Sequence, residues 1–596
     1  MPADWLDLTT HRLDIYDEPL AKTQFLERFE ALARVGSVQQ SALAELPTAF
    51  DYIRLGHPLS CVLEWAIAET YGLQARDVIA FSSRTAPLLA VLRKNLGHAQ
   101  TLIAHQGELP SFLDEDALRR VYGYSFETIR VQSPADIPSF AGRIVFLAET
   151  DDITRFDIRP GVDFHVNVSR RWGSIIVASG DDAAADVSEI QHTRRRETIA
   201  MTPVNCLAVL RGMVGKPAVA PQRDTAANEA RVLDTIRDIT GTHGLALVGS
   251  SGLSVQYAIV MGLIDDALTH HAGKPIRLVV PTNCYGGTND QARRVASCRD
   301  DVEVVDLAVD GGRNMVESTD EVLQQVADED AVPLIIAEIP TNPRVEVPDL
   351  EALRDVLCKP RRTASGAEAV APVFVLDQTF CPNVRFLGEG DVLAPVQTIA
   401  YVSGSKFPSG GRCTAGYCVA NVRGERFMPT IGRHLALCDN EATEHQLEVL
   451  AEQLPSMLER IHAAYLNTRD FVNFVHEVLP QAKINFVSEE LASQGFTPSV
   501  FSLDLPTRGD TEEEREAYKR SSNLTLIESM IREIPDESKF CVSYGQLKGC
   551  YWTVPATSTQ GTTKEGDKDY IVRVAVSPAL DLERHKAVFR DFVARA

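Results

Sequence analysis

Lys406 stands in Ser403-Gly404-Ser405-Lys406-Phe407, directly after the apolar run 398–402. A lysine flanked by hydroxyls where a buried strand ends is a place for a Schiff-base nucleophile, although most lysines are merely solvated. Ser403-x-x-Lys406 also fits the SxxK acyl-transfer pattern, but no SDN or KTG element accompanies it, so that reading falls away. Asp377 opens Asp377-Gln378-Thr379-Phe380-Cys381-Pro382 after the apolar run 373–376. A carboxylate in such a place needs a partner, because burying an unpaired charge is costly. A structural ion pair would satisfy that need as well as a ligand would.

Three further loops carry chemistry-bearing residues. Gly249-Ser250-Ser251-Gly252-Leu253-Ser254 leads from a strand into the helical pattern 255–263. Small residues at a helix start leave backbone N–H groups free to cradle a phosphate. The loop is neither GxxxxGK[ST] nor GxGxxG, which excludes the P-loop and the standard dinucleotide fingerprint. Pro281-Thr282-Asn283-Cys284-Tyr285-Gly286-Gly287-Thr288 sets a tyrosine before paired glycines, and Glu338-Ile339-Pro340-Thr341-Asn342-Pro343 brackets Thr-Asn with two prolines that stiffen the loop. Together, a phosphate cradle, an aromatic plate, a stiff Asn loop, an Asp at a strand end and a lysine meet the needs of pyridoxal 5'-phosphate. Those needs are phosphate anchoring, ring stacking, a hydrogen bond to O3′, a partner for the pyridine nitrogen and a Schiff-base lysine.

These loops require a sheet to hold them. Apolar runs at 245–248, 276–280, 302–305, 334–337, 373–376 and 398–402 alternate with helical patterns at 229–239, 320–326 and 350–357. Continuous apolar strands separated by helices predict a mostly parallel sheet covered on both faces, with ligands beyond the carboxyl ends of its strands. Residues 1–200 read as an α/β extension of unknown role, with helical periodicity over 21–46 and 61–71 and strands at 143–147, 164–168 and 174–179. The acidic stretch 180–187 and the basic Arg194, Arg195 and Arg196 read as solvated linker. Residues 201–440 form the expected cofactor-binding catalytic domain. Residues 441–596 form a smaller α+β domain that completes the substrate site, with a long helical pattern over 441–474, a charged insertion at 508–520 and strands at 499–503, 540–544 and 571–576.

The formal net charge of −23 argues against a nucleic-acid footprint and against docking on anionic lipid. The sequence lacks a secretory-signal pattern at its start and any apolar run of membrane-spanning length, so a cytoplasmic protein is expected. Eleven scattered cysteines, with only Cys413 and Cys418 close together at a spacing unlike zinc pairs, are expected to be reduced thiols with no metal role.

The motif set resembles the Cys/Met-metabolism family of pyridoxal-phosphate enzymes, which includes cystathionine γ-synthase, cystathionine γ-lyase and methionine γ-lyase. Residues 250–254 resemble its SSGM-type loop, Tyr285–Thr288 its YGGT, Glu338–Pro343 its E-x-PTNP, Asp377–Phe380 its DNTF and Ser403–Lys406 its S-x-[TS]-K. Ser543-x-Gly545, the stretch 555–559 and Arg573-Val574-Ala575-Val576-Ser577 resemble its SLG, PASMT and RLSVG elements, and the likeness spans about residues 220–596. The resemblance implies the type I pyridoxal-enzyme fold: an aspartate aminotransferase-like, mostly parallel seven-stranded sheet. It implies Lys406 as Schiff-base lysine and proton carrier, Asp377 on the pyridine nitrogen and Tyr285 stacked on the ring and assisting proton transfer. It places Asn342 on O3′, and Ser251, Gly252, Leu253, Ser403 and Ser405 around the phosphate, with Thr379 also among the cofactor-binding residues. Ser543 and Arg573 would hold a substrate carboxylate.

Departures occur in 221–228, where Arg223 keeps the expected contact to a neighbouring subunit's phosphate but the family's tyrosine and Pro-Thr are missing. The resemblance therefore implies a homodimer or homotetramer with shared active sites. The expected reaction is γ-replacement on an L-amino acid with a Cγ leaving group, an activated homoserine plus a thiol or other nucleophile. γ-Elimination on a γ-substituted, non-proteinogenic amino acid is the alternative, and a non-catalytic scaffold is the third reading.

Overall fold

The computed structural model describes the chain except residues 7–17, 37–38, 51–53, 97–99, 111, 181–185, 218–222, 283, 310–313, 343, 542–543, 555–570 and 596. The described residues divide into two compact units. The first comprises Met1–Arg223, Gly249–Asp265 and Thr430–Thr443; the second comprises Asp224–Val248, Asp266–Pro429 and Glu444–Ala596.

The first unit holds a six-stranded sheet of β1 (Val78–Phe81), β2 (Thr101–Gln106), β3 (Glu127–Val131), β4 (Arg143–Glu149), β5 (Phe164–Ser169) and β6 (Gly173–Ala178), in the order β1-β6-β5-β4-β2-β3. The strands expected at 143–147, 164–168 and 174–179 are β4, β5 and β6. The helical pattern over 21–46 is two helices, Glu18–Arg34 and Gln40–Ala44.

The reading of the arginine run as linker is overturned. Arg194, Arg195 and Arg196 end the helix Val187–Arg196, and the first is 0% exposed. Arg194 Nη1 donates to Glu64 Oε1 at 2.7 Å and to Ala80 O at 2.9 Å, and its guanidinium lies 5.6 Å from the Phe50 ring and 5.9 Å from the Phe81 ring. Lys22 Nζ meets the other oxygen of Glu64 at 2.5 Å. Burial opposes the Glu64 charge, but Lys22 and Arg194 outweigh it and hold the carboxyl below its usual range. Beside them, burial pushes His57 down to about 4. Its neutral ring accepts from Ser60 N–H at Nδ1, leaving Nε2–H to donate to Met201 O at 2.7 Å. A charge run reads as solvated only when no partner exists, and here the partners lie more than a hundred residues away.

The second unit holds the expected parallel sheet. Its strands are β7 (Leu247–Gly249), β8 (Ile276–Pro281), β9 (Val302–Leu307), β10 (Val332–Glu338), β11 (Val373–Asp377), β12 (Gln397–Ser403) and β13 (Gly416–Ala420), in the order β7-β13-β12-β11-β10-β8-β9. β9-β8-β10-β11-β12 are parallel throughout, and β13 runs antiparallel to β12. The order reverses between the adjacent strands β8 and β10, and the carboxyl ends of β8, β10, β11 and β12 line one end of the sheet, where loops must carry any ligand.

A second sheet in the same unit joins β14 (Lys483–Asn485), β15 (Val500–Asp504), β16 (Ser538–Phe540), β17 (Cys550–Thr553) and β18 (Val572–Val576) in the order β14-β15-β18-β17-β16. Phe471, Phe501, Trp552 and Phe589 fill its core with edge-to-face rings. The long helical pattern over 441–474 is two helices, Glu444–Gln453 and Met457–Val478, and Pro455 lies in the turn between them. The charged insertion is the exposed start of the helix Glu512–Glu533, and the strand expected at 540–544 ends at Phe540.

Glu64→Gln leaves Lys22 and Arg194 buried without their shared anion. The expected loss is about 3–5 kcal/mol from the first unit, read as a lower urea midpoint by tryptophan fluorescence. A midpoint equal to that of wild type would refute the assigned role.

Candidate functional site

Register, before any side chain is considered, brings three polar residues together. Glu338, Asp377 and Tyr401 are cross-strand neighbours in one row on β10, β11 and β12. Asp377 Oδ1 accepts from Thr379 N–H at 2.9 Å and from the Thr379 hydroxyl at 2.5 Å, and Tyr401 also hydrogen-bonds its carboxylate. Thr379 Oγ1 in turn accepts from Ser403 N–H at 3.0 Å, which ties the end of β12 to the turn after β11. The ordinary alternative for Asp377, an ion pair, is replaced by hydroxyl and backbone donors. Burial raises the Asp377 carboxyl, while those donors and the nearby Lys406 charge favour its anion.

Glu338 is buried, and its Oε1 accepts from Tyr285 N–H at 2.6 Å. Burial and then the Asp377 charge push it well above the usual carboxyl range. Of two such neighbours the less solvated holds a proton more tightly, which makes Glu338 the weaker acid of the pair. Its bond to Tyr285 fixes the residue that caps the helix Gly286–Ala296. Sequence reasoning quoted Glu338 within a motif but gave it no task. It missed Tyr401 and Tyr544 entirely. The signal for Glu338 was the same as for Asp377: an acid closing an apolar strand.

Lys406 follows β12 in a tight turn. Lys406 N–H donates to Ser403 O at 3.3 Å, Lys406 O accepts from Gly411 N–H at 3.1 Å, and Ser403 and Ser405 hydroxyls lie 2.9 Å apart. The ammonium lies 5.4 Å from the centre of the Tyr544 ring, itself packed on Phe380 and Phe407. Gly545 (φ +71°) closes this arrangement. A Cβ there would come within 2.5 Å of Phe407 N and 2.8 Å of Lys406 C, so only glycine lets the two backbones approach.

Arg573 on β18 is buried and donates from Nη1 to Asn342 Oδ1 at 3.0 Å. The expected carboxylate ligand and the expected O3′ contact are thereby neighbours. Ser543 and the stretch 555–559 lie outside the described residues. Ser251, Gly252 and Leu253 belong to the first unit, where they open the helix Gly252–His270, and Arg223 ends the first segment of that unit.

Tyr285, Asn342, Asp377, Ser403, Ser405 and Lys406 are all partly exposed, whereas Glu338, Thr379, Tyr401, Phe407 and Tyr544 beneath them are buried. This arrangement gives a polar floor on a buried frame and fits a planar, anionic, nitrogen-containing group: an amine to bind it covalently, a carboxylate for its ring nitrogen and a guanidinium for a carboxylate. Among the described residues no cluster of three metal-ligating side chains occurs, and no helix is long and apolar enough to cross a membrane.

No protein-family model matches the chain, and no curated protein matches it. Solved structures do. MetB from Corynebacterium glutamicum shares 18% identity over 61% of this chain and 84% of its own, with a TM-score of 0.45. Cystathionine gamma synthase from Xanthomonas oryzae pv. oryzae, in complex with cystathionine, shares 16% identity over 63% of this chain and 89% of its own, also at 0.45. Cystathione gamma lyase (CalE6) from Micromonospora echinospora shares 15% identity over 62% of this chain and 86% of its own, at the same score.

Because burial and the Asp377 charge raise the Glu338 carboxyl above its ordinary value of 4.5, the unfolded chain gives up that proton first and stability falls as pH rises from there. Glu338→Gln keeps an acceptor for Tyr285 and removes that penalty. Thermal melts of variant and wild type should coincide near about pH 4 and separate in the variant's favour above it, by at most about 1.4 kcal/mol per pH unit. A separation that shrinks with rising pH would contradict the assignment.

Proposed function

We propose that this protein is a pyridoxal 5'-phosphate-dependent enzyme of the Cys/Met-metabolism type that carries out γ-replacement on an L-amino acid with a leaving group at Cγ. The observation that supports it most is the partly exposed set Tyr285, Asn342, Asp377 and Lys406 on the carboxyl ends of one parallel sheet, with Arg573 on Asn342. When bound, the cofactor supplies an electron sink for carbanions at Cα.

The remaining work falls to the chain. Asp377, whose anion is favoured against burial by Thr379 and Tyr401, would take the ring nitrogen. Tyr285 offers its ring face, held by the Glu338 bond to its N–H. Asn342 positions O3′, and Arg573 receives the substrate carboxylate as a planar fork. Lys406 Nζ would remove the substrate's Cα proton and then move a proton at Cβ, which would let the Cγ substituent leave. A thiol adding at Cγ completes replacement, whereas protonation without addition gives elimination. By the motif resemblance the loop of Ser251, Gly252 and Leu253 would hold the phosphate, and Arg223 would reach the phosphate of a second copy in a homodimer or homotetramer.

Elimination is the second reading, supported by the departures in 221–228 from the family's tyrosine-bearing segment. The scaffold reading is opposed by the presence of Lys406, Asp377 and Arg573 together.

The purified protein with pyridoxal phosphate should show a visible absorbance that Lys406→Ala alters, and turnover should fall about 10²–10⁴-fold in that variant. Mass spectrometry of γ-substituted amino acids incubated with and without a thiol decides the reaction. A thiol-containing product supports replacement, and the same keto acid in both arms refutes it. A protein that stays colourless with the cofactor refutes the enzyme reading altogether.

A further inference from the structure

The extension has no task in the chemistry above, yet the first unit binds it directly to the Ser250–Ser254 loop. The connection runs through a single turn. Asp439 has a left-handed backbone (φ +49°), a conformation that aspartate tolerates better than most residues but that must be held. Arg84 holds it from three donors: its backbone N–H reaches Asp439 Oδ2 at 2.7 Å, Nε reaches the same oxygen at 3.0 Å, and Nη2 reaches Oδ1 at 2.5 Å. The neighbouring Ser83 hydroxyl donates to Cys438 O at 2.7 Å. On its other side the same turn presents Asn440 O to Ser250 N–H at 2.8 Å. The Asn440 side chain donates to Glu197 O at 2.7 Å, which anchors the turn to the extension a second time.

From Ser250 the connection continues into the loop. Ser250 Oγ lies 2.9 Å from Ser254 Oγ, which lies 2.7 Å from Ser251 Oγ, and Ser254 N–H donates to Ser251 Oγ at 3.0 Å. All three serines are buried. The space is tight as well: a Cβ on Gly249 would come within 2.7 Å of Val255 and 3.2 Å of Asn440 O. A separate tie reaches the following helix. Buried Arg93 pairs with Glu197 and donates from Nη2 to Tyr257 OH at 2.8 Å, two residues beyond Val255.

We infer that residues 83–84, 93 and 197 of the extension are positioning residues that set the Ser250–Ser254 loop through the Cys438–Asp439–Asn440 turn, and thereby set the affinity for the cofactor's phosphate. The inference rests on the proposal that this loop holds that phosphate. None of these side chains touches the reacting atoms. Their effect is carried by a backbone turn with one arrangement when Arg84 is present and a looser one without it.

The test compares pyridoxal 5'-phosphate with pyridoxal, which lacks the phosphate, as ligands of the full-length apoprotein, by equilibrium dialysis with absorbance detection. Arg84→Ala is expected to weaken pyridoxal phosphate binding about 3- to 30-fold while leaving pyridoxal affinity within error of wild type. Asp439→Asn, which tolerates the left-handed turn but loses the charge pair, should show the same selective loss and serves where Arg84→Ala does not fold. Arg170→Ala, on an exposed arginine of the same unit paired with Glu149, should bind both ligands as wild type does. Equal weakening of both ligands would show a merely structural role and overturn the inference. So would folded variants that bind pyridoxal phosphate as tightly as wild type. Wild type that binds neither ligand would overturn the proposed function, and this inference with it.

Discussion

Glu338 and Asp377 stand side by side on β10 and β11, in register and screened from most of the solvent, and two charges there would repel. The raised Glu338 carboxyl, the weaker acid of the two, eases the conflict. It lets Asp377 keep its charge with the help of Thr379 and Tyr401, and it leaves the Glu338 oxygen free to hold Tyr285. Through Thr379 the same arrangement reaches Ser403, and through Ser403 the turn that carries Lys406. The unequal acidity of these two carboxyls thus underlies the placing of a ring partner, an aromatic plate and a nucleophile.

Much of this was legible in the sequence because a parallel strand buried on both faces has to be apolar along its length. β8, β10, β11 and β12 appear as such runs, and Asp377 and Lys406 could be picked out as polar residues that close or follow them. β13, Gly416–Ala420, was missed. Tyr401 was hidden inside its strand, where an aromatic residue is ordinary. Tyr544 lies in a loop read as strand, and its packing on Phe380 and Phe407 joins parts of the chain far apart in sequence.

The charged core of the first unit was illegible for a different reason. Arg194 and Lys22 are both paired with Glu64, and nothing in a local window distinguishes such a run from a solvated one. Lone polar residues on otherwise apolar helices were the available sign: Glu64 sits on Pro58–Tyr71 among buried Leu63, Ile67 and Ala68. A buried acid of that kind demands a cation from elsewhere in the chain.

The make-up of the first unit also bears on how the chain is synthesised. Its last segment, Thr430–Thr443, leaves the ribosome roughly two hundred residues after Arg223. At about 5–20 residues per second the extension therefore waits for some tens of seconds. Throughout that interval the surface that will receive the turn at Asp439 stays uncovered. Domains that complete themselves in sequence avoid such a delay; this one makes its earliest residues depend on late ones, and a nascent-chain chaperone has a defined stretch of time in which to act.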